Sequence, residues 1–101
     1  MTEREVFEMR EKLRAVAESQ GWHCAVCDRS LHAPGAVAQW GHRIPQTTGN
    51  IVKYGKAVVH HRLNGMVVCS LECNQAVSVR NEPIWEAQIV ATIRETIKGD
   101  T

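Results

Sequence analysis

Cys24-Ala25-Val26-Cys27 and Cys69-Ser70-Leu71-Glu72-Cys73 are two closely spaced cysteine pairs, set 41 residues apart in a chain of 101. Each pair can present two thiolates to one ion, and four thiolates complete a tetrahedral zinc shell. Such a shell leaves no open coordination position, so the zinc it holds is structural. The spacing predicts a staple that ties a knuckle at the first pair to the start of a helix at the second, bracketing everything between them. Two other readings compete. A redox pair would need a strand–helix–strand context that is missing here and would leave the second pair unexplained; buried unpaired thiols are the other.

Outward from the first pair, residues 22–36 read as a tight knuckle and loop, and Val37 to His42 as a short strand ended by Pro45. Gln46 to Gly55 is polar around Thr47-Thr48-Gly49-Asn50 and reads as an exposed loop. Ala57-Val58-Val59-His60-His61 and Met66-Val67-Val68 are strand-like, with the hairpin dipeptide Asn64-Gly65 between them. Residues 71–80 suit a short helix. At the N-terminal end, Thr2 and Glu5 form a capping-box pattern that opens a helix over 2–20, with an apolar stripe of Val6, Met9, Leu13 and Val16 and a stop at Gly21. At the C-terminal end, Asn81-Glu82-Pro83 starts a helix over 82–98 striped by Trp85, Ile89, Ile93 and Ile97 and closed by Gly99. Both stripes are expected to pack on the core, although the first could also serve a homodimer. The fold class expected is α+β: one domain over 1–101, with a small zinc-stapled core at about 22–80 and a helix on each side.

Composition narrows the function. With 44% hydrophobic and 23% charged residues the chain is globular, and its short apolar runs fall far below the ~20 residues of a membrane span. The acidic opening Met1-Thr2-Glu3-Arg4-Glu5 does not read as a secretion leader, so a reducing, cytoplasmic compartment is expected, where metal ligation outranks disulfides. The net charge of +1 hides an asymmetry. Between Asp28 and Glu72 no acid occurs, while Arg29, Arg43, Lys53, Lys56 and Arg62 do, together with four of the five histidines. A segment that excludes carboxylates is suited to an anionic partner, with a phosphate backbone the leading candidate; ordinary solvated bases are the bland alternative.

Inside that segment stands Trp40-Gly41-His42-Arg43-Ile44-Pro45, followed by His60-His61-Arg62-Leu63-Asn64-Gly65 and, after the third cysteine, by Cys73-Asn74. A His-x-Ile-Pro between the cysteine pairs, an Asn five residues before the third Cys and an Asn directly after the fourth form an ordered set. Over residues 24 to about 78 this resembles the HNH endonuclease family, in its zinc-stapled branch with a ββα-metal fold. The resemblance implies a DNA phosphodiesterase, within a phage or mobile-element setting among others; no residue set here resembles a base-reading helix, so low sequence specificity is expected. It implies His42 as the general base, a role neutral imidazole can fill near neutral pH. It implies Asn64 as the residue that orients the His42 ring, and Asn74 as a ligand of a catalytic divalent metal. Arg43, Lys53, Lys56 and Arg62 would then meet phosphates, giving a log–log salt slope of about −3 to −5 for three to five contacts.

This sequence departs from the family at one position. Most members carry an acidic metal ligand just before the base histidine, where this chain has Gly41. His60 and His61 are the substitutes in the same segment; as neighbours on a strand they would face opposite sides, so one of them is expected to reach the ion, with a lean to His61. A shell of imidazole and amide carries no negative charge and would favour Mn²⁺, Ni²⁺ or Co²⁺ over Mg²⁺. Residue by residue, plainer readings exist: His23 and His32 as polar surface residues, Asn64 as a turn former, Asn74 as a helix cap. Two further functional readings share the same features, a catalytically inactive zinc-stabilised DNA-binding module and a zinc-stabilised protein–protein adaptor.

Overall fold

The computed structural model describes residues 2–99. Thr2 opens helix α1 (Glu3–Ser19) with the expected reciprocal cap: its hydroxyl accepts the Glu5 N–H at 3.1 Å, and the Glu5 carboxylate accepts the Thr2 N–H at 3.3 Å. Only the second half of the α1 stripe packs inward. Leu13 and Val16 lean on the core and Ala17 is fully buried, whereas Met9 stays half exposed. The chain then reverses through Gly21 and Trp22, both at positive φ, into the cysteine knuckle.

Two four-residue strands, β1 (Gln39–His42) and β2 (Gly65–Val68), pair antiparallel, with Trp40 opposite Val67 and His42 opposite Gly65. They are not a hairpin. Residues 43–64 run out and back through two short helices, α2 (Thr48–Tyr54) and α3 (Lys56–Val59), and a 3₁₀ turn over Arg62–Asn64. This corrects three expectations. The polar stretch 46–55 holds a helix because Thr47 caps it, its hydroxyl accepting the Asn50 N–H at 3.1 Å. The run Ala57 to His61 holds no strand: Ala57 to Val59 belong to α3 and His60 and His61 to the turn after it, with Val58 and Val59 both buried, and a short apolar run of this kind has the same pattern in either state. Asn64-Gly65 is no turn dipeptide, since Asn64 closes the 3₁₀ turn in the interior and Gly65 is extended at φ −136°.

Helix α4 (Leu71–Ala76) follows β2, capped by Ser70, whose hydroxyl accepts the Cys73 N–H at 3.2 Å; it ends short of the expected residue 80. Helix α5 (Pro83–Gly99) buries Ile89, Val90 and Ile93 and partly Ile97. Trp85, expected in that stripe, is 54% exposed because it falls one turn before the helix meets the body.

The buried residues form two clusters. One holds Ala17, Cys24, Leu31, Val67, Val68, Cys69 and Val77, so two of the four cysteines are themselves core residues. The other holds Ile44, Val58, Val79, Ile89, Val90 and Ile93, and joins α5 to the excursion between the strands. The free edge of β2 is closed by a side chain: the Gln20 amide donates to the Val67 carbonyl at 2.8 Å and accepts its N–H at 3.0 Å, standing in for a third strand. Five α-helices around a two-stranded antiparallel sheet make the fold α+β. Among the described residues no helix is long and apolar enough to cross a membrane.

Candidate functional site

The four cysteines come together as their spacing predicts. Their Sγ atoms all lie within 4.8 Å of one another, with Cys27 and Cys69 at 3.5 Å and Cys69 and Cys73 at 4.0 Å. Zn–S bonds of 2.3 Å in a tetrahedron put sulfurs about 3.8 Å apart, so the cluster could hold a structural metal such as zinc with little adjustment. Among the described residues it is the only set of three or more His, Cys, Asp or Glu side chains gathered this way. The knuckle also presents backbone to sulfur, the Val26 N–H pointing at Cys24 Sγ over 3.5 Å. Burial opposes ionisation of Cys24, but N–H groups of Cys27, Val26 and Cys69 outweigh it and bring its thiol down to about 6. Cys69 goes the other way, pushed up to about 12 by sharing its proton with Cys27 and by burial. The Cys24 thiolate forms readily there, while Cys69 and Cys73 hold their protons unless a cation is placed among them.

His42 ends β1, half-buried, between two clefts. Its Nε2 is buried with no hydrogen-bond partner. The ring stands edge-on to Trp40 at 6.5 Å and to His60 at 5.9 Å between centroids. Burial, then the neighbouring His60, then Lys12 lower the imidazole pKa below its usual 6.5, so the ring is neutral at pH 7. On one side His42 shares a cleft of about 720 Å³ with Asn74, Gln75, Arg80 and Glu82. On the other it shares one of about 660 Å³ with Lys12, Trp40 and His60.

The structure separates residues that the sequence grouped. Asn64 is fully buried and holds the backbone beyond His42 and not its ring: Oδ1 accepts the Ile44 N–H at 2.8 Å, and Nδ2 donates to the carbonyls of Ile44 at 3.1 Å and Val59 at 2.8 Å. It thereby ties the exit of β1 to the end of α3. Asn74, on α4, donates to the Trp40 carbonyl at 3.3 Å and to Gln39 at 3.4 Å, which directs its Oδ1 toward Gly41. His60 faces His42, but Asn74 and His60 line different clefts, which meet at His42 and Gln46. His61 uses Nδ1 to accept the Leu63 N–H at 3.1 Å, capping the 3₁₀ turn. The strand alternation expected to set His60 and His61 on opposite faces does not apply, because the two lie between α3 and the 3₁₀ turn and not on a strand.

Gly41 is more than a missing acid. A Cβ there would stand 2.8 Å from Val77 Cγ2 and 3.2 Å from Asn74 Oδ1, so α4 and the residue beyond it occupy the space a carboxylate would need. Glu82, from the segment before α5, is the carboxylate that lines the cleft of His42 and Asn74. The four bases also scatter. Lys56 and Arg62 share a cleft of about 640 Å³ with Lys12 and His60. Lys53 sits over the Tyr54 ring at 5.1 Å, and Arg43 lines a small groove against Trp85 and Ile89.

Sequence reading missed Lys12, Gln20 and Glu82, all outside the segment of resemblance. Nothing local marks Gln20 or Glu82. Lys12 lies between Met9 and Leu13 on a helix, where a cation is ordinarily a solvated flank; only the packing of α1 across the sheet brings it to Trp40.

The chain matches no family model, no curated protein and no solved structure. What it can do therefore rests on the geometry: a four-cysteine cluster that could hold a metal, and a neutral histidine that lines two clefts.

Proposed function

We propose that the chain is an HNH-type endonuclease of the zinc-stapled, ββα-metal kind, hydrolysing DNA phosphodiester bonds with the aid of a divalent metal. The observation that supports it most is His42 itself: an imidazole neutral at pH 7 that lines the cleft holding Asn74 and Glu82, with a buried Nε2 that no protein group satisfies. In this reading β1, β2 and α4 are the ββα unit, and the four cysteines are its staple.

The chemistry follows from the side chains. His42 takes the proton of a water as that oxygen attacks phosphorus; the P–O3′ bond breaks, and the 3′ oxygen leaves and is protonated by solvent, giving 5′-phosphate and 3′-hydroxyl ends. Asn64 does not touch the reacting atoms. It fixes Ile44, so the strand end that carries His42 cannot shift. Asn74 Oδ1 and the Glu82 carboxylate would hold the ion, both being oxygen donors of the kind Mg²⁺ and Mn²⁺ accept. When bound, such an ion neutralises the phosphoryl oxygens and the leaving oxygen. One centre per chain makes nicking the elementary event, and cutting both strands takes a second copy or a second nick.

Supercoiled plasmid incubated with Mn²⁺ tests the proposal. The parent should nick it, His42→Ala should lose at least a hundredfold in rate, consistent with loss of a general base worth about 10²–10⁴, and Glu82→Gln should raise the Mn²⁺ concentration required. Equal nicking by parent and His42→Ala would end the proposal. An inert parent that still binds DNA would leave the second reading, a zinc-stabilised DNA-binding module.

A further inference from the structure

The three clefts around His42 are not separate. The first and second share His42 and Gln46; the second and third share Lys12 and His60. Together they form one groove, from Lys56 and Arg62 at one end, past Lys12 and His42, to Arg80 at the other. Charge along it is uneven in a useful way. Of the acids in its walls, Glu5 is engaged by the Thr2 cap, Glu8 by Arg4 at 3.2 Å and Glu11 by Arg14 at 2.8 Å, all within α1, which leaves Glu82, the carboxylate assigned to the ion, at the Arg80 end. Lys12, Lys56, Arg62 and Arg80 take part in none of the ion pairs of the described residues, so no carboxylate stands at ion-pair distance from them.

Lys12 is the most specific of these cations. It is held in place twice, its Nζ donating to the His60 carbonyl at 3.3 Å and lying 4.7 Å from the centre of the Trp40 ring. A half-buried ammonium held on the wall of a groove beside the reacting histidine is a fixed anion site. The groove offers no stacking platform for bases, because the one aromatic in it, Trp40, is covered by Lys12 and its Nε1 is buried. It is therefore shaped to read backbone and not bases.

We infer that one strand of a DNA duplex lies along this groove, its phosphates met by Lys56, Arg62, Lys12 and Arg80, with Lys12 holding the phosphate next to the one presented to His42. This rests on the reading of the chain as a DNA-acting protein and deepens it: it assigns Lys12 and Arg80 to the substrate and removes Arg43 and Lys53, which lie off the groove.

Fluorescence anisotropy of a short labelled duplex, titrated with protein at several salt concentrations and with no divalent metal added, tests it apart from cleavage. Four phosphate contacts predict a log–log slope of about −3.6. Lys12→Gln and Arg80→Gln should each weaken binding roughly three- to tenfold and lower the slope by about one, while Lys12→Arg retains the slope and Arg43→Gln and Lys53→Gln leave it unchanged. Zinc content and circular dichroism establish that each variant is folded; should Lys12→Gln fail to fold, Arg80→Gln and Lys56→Gln carry the comparison. Slopes that fall in Arg43→Gln and Lys53→Gln but not in Lys12→Gln or Arg80→Gln would overturn the path, as would a parent that does not bind DNA at low salt. The expected binding pattern in a parent that never nicks plasmid would support the groove and remove the cleavage.

Discussion

Gly41 shows what one missing side chain means. From sequence it is a lost metal ligand, and the obvious repair is Gly41→Asp. The structure predicts the opposite of a repair: the new Cβ would meet Val77 and Asn74, a small-to-large change that costs about 1–3 kcal/mol in a packed site. We expect Gly41→Asp to lower the unfolding midpoint in urea and to gain no Mn²⁺ affinity by calorimetry. Gly65 is required for the same kind of reason, since a Cβ there would fall inside the Trp40 ring. His42 carries the second residue-scale prediction. Its folded pKa lies below 6.5, so as pH falls through 6.5 the unfolded chain takes up a proton that the folded one refuses, and stability contributed above that pH is lost. NMR of the ring should show a midpoint below 6.5, and Lys12→Gln should move it upward, since the Lys12 charge is one of its depressants.

Among the elements, α1 changes the reading most. It lies outside the stretch that resembles a nuclease, yet it closes the sheet edge through Gln20, buries Ala17, and brings Lys12 to Trp40 and His60. Gln20→Ala strands the Val67 N–H, a loss of about 1–2 kcal/mol. Hydrogen exchange at Val67 should accelerate in that variant while amides of α5 stay as protected as in the parent, because α5 belongs to the other core cluster. The helix itself, with its cap, was legible residue by residue; that it acts as the third element of a two-stranded sheet was not, because a glutamine side chain pairing with a strand leaves no periodic trace.

For the whole molecule the decisive quantity is the metal. Cys24 and Cys69 sit in the core cluster with Val67 and Val77, so emptying the four-cysteine site would leave mutually repelling or protonated sulfurs inside the fold. Structural zinc of this kind contributes on the order of 10 kcal/mol, as much as a small domain's entire stability. We expect one zinc per folded chain by native mass spectrometry, and loss of near-ultraviolet circular dichroism on chelation, restored by zinc. A chain that keeps its tryptophan signal in excess chelator would refute a structural role for the cluster.

By itself the sequence determined the cysteine cluster, the two long helices and the strand residues flanking His42, because each is written in short-range spacing: ligand pairs two to three residues apart, caps, and apolar repeats. Residues 46–64 were misread as loop, strand and hairpin turn, since Val58-Val59 suits a strand or a helix equally and Asn64-Gly65 has a ready local explanation. Only tertiary packing decided that Asn64 is the buried clasp of that excursion, that His60 and not His61 meets His42, and that Lys12 and Glu82 complete the clefts. Those placements depend on residues far apart in the chain occupying one volume, and no pattern along the chain encodes which volume they share.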